Sequence, residues 1–159
     1  MPSAHWRSIL AVVTDPFARE QLAAAKAAAV AARCGARLTL FNAFMVPQPS
    51  REMPDSTKEV IAAAMRERRE RLERIAHRLH RPLKIRTAVQ WDFPAHEAIV
   101  RYVFETRPDL VVAESHRHGR VARWILANTD WELIRSCPTP LWFVRSAALP
   151  RRPRVLVGV

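Results

Sequence analysis

The chain has 159 residues, 49% apolar and 26% charged, with a formal net charge of +11. That length suits one domain with a real core, and no apolar run is long enough to span a bilayer. The two cysteines, Cys34 and Cys137, lack the paired spacing of a metal knuckle or a disulfide framework, so reduced thiols in a cytoplasm are expected.

The opening MPSAHWRSIL has no basic segment followed by an apolar one, which adds to the cytoplasmic expectation. The basic excess fits a polyanion partner, but no recognition motif accompanies it. Arg66, Arg69, Arg71 and Arg74 interleave with Glu67, Glu70 and Glu73, the pattern of a solvated, salt-bridged helix face. Neither nucleic acid nor membrane is an expected partner.

In chain order, residues 8–14, SILAVVT, read as a buried strand ending at Asp15-Pro16. Residues 17–33 are alanine-rich and helical by propensity, with Gly35 as the left-handed cap. A second strand is expected over 37–45, again nearly continuous in apolar character. Residues 46–56 hold Pro47, Pro49 and Pro54 and form an irregular excursion. Ser56-Thr57 then cap a long helix whose apolar stripe is Ile61, Met65, Leu72, Ile75 and Leu79, interrupted only by Arg68.

Pro82 ends that helix. Residues 83–89 alternate apolar and polar side chains, which predicts a sheet edge. Pro94 opens a helix through Arg107, with Ile99, Val103 and Phe104 on one side. Residues 110–113 are an unbroken apolar strand followed by a long polar loop. Thr129 and Glu132 have capping-box spacing, with Asn128 a second cap, so a helix is expected to start there. The stop Cys137-Pro138-Thr139-Pro140 hands over to a last strand at 141–144. Trp91, Trp124 and Trp131 read as core or interface packing.

Strict β-α alternation requires a parallel sheet with helices on both faces. Apolar central strands and an alternating third strand give five strands in the order 3-2-1-4-5. The switch point then lies at Asp15 and the loop after Ala113, where an open α/β sheet takes its ligand. After Val144 a basic, proline-containing linker leads into Val155-Leu156-Val157-Gly158-Val159, which repeats the character of the first strand. Residues 1–146 therefore form the domain. Residues 147–159 are read as a linker plus apolar strand, either a sixth edge strand or the start of a second repeat.

ILAVVTDP, CGARLTLFNAF, PDLVVAESH and CPTPLWFV, in this order and spacing, resemble the universal stress protein family. The TDWELI helix and the repeated apolar tail resemble the first half of its tandem-domain members most. The resemblance implies a three-layer, Rossmann-like open sheet and a cytoplasmic stress-response role. It also implies dimerisation through the last strand, as a homodimer or as an intramolecular pseudo-dimer with a second similar domain.

Many members bind ATP through a loop patterned Gly-x-x-Gly, nine residues, then Gly-Ser or Gly-Thr. On this chain the glycines fall on Glu114, Arg117 and Ala127 and the hydroxyl residue on Asn128. Such glycines let backbone N–H groups approach phosphate oxygens, and none of the three is present. Asp15 matches the family's acidic residue after the first strand, and Ala43 its small contact after the second. The cofactor-binding candidates are Asp15, Ala43, Ser115, His116, Arg117, Gly119, Asn128 and Thr129, in a loop made cationic by His116, Arg117, His118, Arg120 and Arg123.

No catalytic residue is assigned, because the Walker, HxGH and SGGxDS patterns are all missing. No metal site is assigned either, since His77 and His80 lack a carboxylate at ligand spacing. The expectation is a non-catalytic module with a degenerate ATP site and no cofactor, binding a small ligand or a protein partner. The alternative is an ATP-binding stress switch with weak ATPase activity.

Overall fold

A computed structural model describes residues 6–45, 55–79, 82–92, 94–114 and 123–145, with backbone alone at 55–56 and 123–129. The polar loop at 115–122 and the tail at 147–159 lie outside the described residues, and with them the expectation of a second repeat.

Among the described residues nine elements alternate as expected: β1 (Ser8–Val12), α1 (Leu22–Cys34), β2 (Arg37–Phe44), α2 (Asp55–Arg78), β3 (Ile85–Trp91), α3 (Ala95–Thr106), β4 (Leu110–Glu114), α4 (Arg123–Ser136) and β5 (Leu141–Val144). The sheet is all parallel, in the order β3-β2-β1-β4-β5. β1 sits at the centre with β2 on one side and β4 on the other.

Successive side chains of a strand point to opposite faces, and the core divides accordingly. Ile9, Ala11, Val13, Leu38 and Leu40 pack beneath α1 and α2 with Leu72 and Ile75. Leu10, Val12 and Phe41 pack beneath α3 and α4 with Ile99, Val103 and Leu133. α1 is built largely of alanines, and Ala27 and Ala31 are fully buried, so it lies close against the sheet. Gly35 ends it at φ 68, and the N–H groups of Gly35 and Ala36 both donate to the Ala31 carbonyl. That geometry favours glycine.

Strand ends differ from expectation by one or two residues, and four starts differ as well. α1 starts at Leu22 rather than Phe17 because residues 15–21 form a turn of their own. The Asp15 carboxylate accepts from the Phe17 N–H at 2.9 Å, and the Gln21 side chain donates to the Asp15 carbonyl at 2.9 Å. β3 is shifted by two residues from the expected 83–89, which leaves its facing unchanged because the side-chain period is two. α2 already begins at Asp55, so Ser56 and Thr57 lie inside it. α4 begins at Arg123, five residues before Asn128, so Asn128 and Thr129 are in the helix rather than at its amino end. The capping-box spacing of Thr129 and Glu132 is equally the i,i+3 spacing of one helix face; it misplaced the start.

Candidate functional site

Parallel strands with right-handed crossovers send every βα loop to one edge of the sheet. At that edge, on the α3/α4 side, lies a cavity of about 100 Å³. Val12, Val13 and Thr14 form its floor from the end of β1, with Ala43 of β2 and Ala113 and Glu114 of β4 beside them. Ala95 and Ile99 of α3 close one wall, and Asp130 and Leu133 of α4 the other. The lining is apolar except for Thr14, Glu114 and Asp130.

Of the sequence candidates, Ala43 lines this cavity. Asp15 lies one residue beyond Thr14, exposed, with one carboxylate oxygen already bonded to the Phe17 N–H. Ser115, His116, Arg117 and Gly119 are outside the described residues, as are the side chains of Asn128 and Thr129. Sequence reasoning missed Ala95, Ile99, Asp130 and Leu133. The signal was available as helical spacing: Ala95 and Ile99 are four apart, and Asp130 and Leu133 three apart, so each pair shares a face.

The α1/α2 side of the same edge holds a polar cluster inside an otherwise apolar layer. Asn42 of β2 is fully buried. Its amide donates to the Val13 carbonyl at 2.7 Å and the Thr14 carbonyl at 3.2 Å, while its oxygen accepts from Arg68 of α2 at 3.4 Å. The residue that interrupts the α2 stripe thus has a buried partner waiting for it. The Arg68 guanidinium lies 4.3 Å from the Phe44 ring centre and 5.3 Å from that of Phe17, and Arg71 lies 5.1 Å from Phe17. Burial lowers the Arg68 pKa from its ordinary value, and the charges of Asp15 and then Glu67 oppose that shift.

Elsewhere the described residues offer little chemistry. No cluster of three His, Cys, Asp or Glu side chains is placed to hold a metal among them. His77 is exposed on α2. Cys34 and Cys137 are free and half-buried, with burial raising the Cys137 thiol above its ordinary range. Trp91 packs against the core, whereas Trp131 is 64% exposed. No helix among the described residues is long and apolar enough to cross a membrane.

Comparison with known proteins agrees with this architecture. Universal stress protein E of Escherichia coli (strain K12) is 29% identical over 152 residues, covering 93% of this chain and 48% of that protein. Its namesake in Photorhabdus laumondii is 28% identical over 162 aligned positions, covering 98% and 51%. The chain thus spans about half the length of these relatives. A solved universal stress protein in complex with cAMP superposes with a TM-score of 0.61 at 19% identity, over 90% of this chain and 99% of that one. The model of the universal stress protein family matches residues 6–145, nearly the whole chain, and the chain belongs to that family.

Proposed function

We propose that this chain is a non-catalytic, cytoplasmic stress-response module whose switch-point cavity has lost the ability to hold ATP and takes a smaller ligand. The observation that carries this reading is the cavity itself. Sites for drug-sized ligands run to roughly 300–1,000 Å³, whereas this one measures about 100 Å³ and is rimmed by Glu114 and Asp130. Glu114 stands where the family's phosphate loop begins with glycine, and a side chain there blocks the close approach of backbone N–H groups to a phosphate. The sequence replaces the other two glycines with Arg117 and Ala127.

One observation favours the second reading, a nucleotide-binding switch with weak ATPase activity. A relative of the same fold is solved with cAMP, which carries a single phosphate, and Asp15 and Ala43 stand at the matching strand ends. Calorimetry with Mg-ATP and with cAMP separates the two. Mg-ATP should bind in the millimolar range or not at all, and changing Glu114, Arg117 and Ala127 together to glycine should tighten it at least roughly tenfold, or 1.4 kcal/mol. A micromolar constant for the unaltered protein, lost on Asp15→Ala, would overturn the first reading. Tight cAMP without ATP would identify the ligand as a cyclic or monophosphate nucleotide.

Next to β4, β5 is an edge strand among the described residues, with Leu141, Trp142 and Phe143 only half buried. An apolar edge strand pairs readily with another chain. A homodimer, or a second similar domain in the same polypeptide, is the partner this reading assigns to it. Light scattering on the purified chain should give twice its mass, and Trp142→Lys should return it to the monomer. A monomeric chain at high concentration would count against the dimer.

A further inference from the structure

We propose that Arg68 is a positioning residue for the Asp15 loop, so that the shape of the switch-point mouth depends on where α2 sits. The inference deepens the reading of that edge as the ligand side. The first part of the loop after β1, residues 13–17, carries Asp15 and ends in Phe17, which is 42% exposed. An exposed ring has little burial to hold it in place. Phe17 instead lies beside two guanidinium groups from α2, those of Arg68 and Arg71. Cation–π contacts of this kind hold a ring where burial alone does not.

Arg68 reaches the loop at both ends. At its start, Arg68 donates to Asn42, whose amide holds the Val13 and Thr14 carbonyls. At its far end it faces Phe17, whose N–H is bonded to the Asp15 carboxylate. Between the two it lies over the ring of Phe44, which is buried. Packing alone does not explain an arginine here, because the flanking stripe positions are Met65 and Leu72. A planar, multi-donor cation is needed to stack on two rings and hydrogen-bond at once, which lysine does not do.

Relaxation measurements on backbone amides of the ligand-free protein test this without reference to any ligand, and so separate the clamp from the ligand reading. In the unaltered protein the amides of Asp15, Phe17 and Ala18 should have order parameters near the rigid value of about 0.85. Arg68→Met, which keeps the apolar stem, should drop them below about 0.6 while Val111, Val112 and Ala113 stay unchanged. Arg68→Lys should recover little of the loss. Phe17→Leu should loosen the same amides, with no further loss in the double variant. Unchanged loop amides in Arg68→Met would overturn the proposal, and so would an equal loosening of β4, which would make Arg68 a general support of the fold.

Discussion

Phe41→Ala should cost about 3–5 kcal/mol, a large share of the roughly 5–15 kcal/mol that holds a domain of this size together. Phe41 is fully buried in β2, one strand from the sheet centre, among Leu10, Val12 and Val103. Its ring stacks on Tyr102 of α3 with centroids 4.4 Å apart and planes 21° from parallel. Removing it deletes both the stack and the apolar contact, and leaves a hole between β2 and α3. The urea midpoint should fall with the slope unchanged, the sign of lost stability rather than of an altered unfolded state. Tyr102 provides a second readout, because it is the one tyrosine in the chain. Burial holds its hydroxyl above the ordinary value, with Arg86 opposing and Glu105 assisting. Opening the Phe41 site admits water, so tyrosinate absorbance should appear at lower pH in the variant. An unchanged titration with lost stability would mean that α3 had closed over the gap.

Asn42→Leu should cost about 2–4 kcal/mol although it keeps the volume and adds apolar surface. The amide serves two carbonyls at the end of β1 and one guanidinium, and leucine serves none of them. Each buried group left without a partner costs about 1–3 kcal/mol, which outweighs the gain from a more apolar side chain. Thermal unfolding of the variant measures it. Asn42→Asp keeps the acceptor for Arg68 but sets a carboxylate against the Val13 and Thr14 carbonyls, so it should not rescue stability at neutral pH. A leucine variant as stable as the parent would show that water takes over the amide's bonds.

The sheet order was legible because three independent features of the sequence agree. Residues 9–13 and 110–113 are apolar throughout, as strands covered on both faces must be, and 83–89 alternate, as an edge strand does. The last strand was bounded to the residue because prolines flank it on one side and a basic linker on the other. Helix starts were less legible. Capping chemistry is short-range and recurs inside helices, so Ser56, Thr57 and Thr129 offered plausible starts that the backbone does not use. At the cavity, Ala43 was found through the family resemblance, as the match to the small contact after the second strand. Asp130 and Leu133 were not, since their role depends on how α4 lies across the sheet. Arg68 is the clearest case. On the sequence it reads as a defect in a stripe, and only the fold reveals Asn42 directly beneath it.

The central position of β1 also dictates the order in which the sheet can be completed. Its bonds to β2 join Ser8 to Arg37, but its bonds to β4 join Ile9 to Leu110, and the Arg7 and Ser8 N–H groups are held by Asp109. A chain emerging from the ribosome therefore has β1, β2 and β3 in hand by Trp91, with the other side of β1 still bare. Contacts so distant in sequence form slowly, and until they form, Ile9 to Val12 present an apolar edge to any neighbouring chain. β1 thus stays half covered until β4 is made, and the interval between β3 and β4 leaves the centre of the sheet open to aggregation.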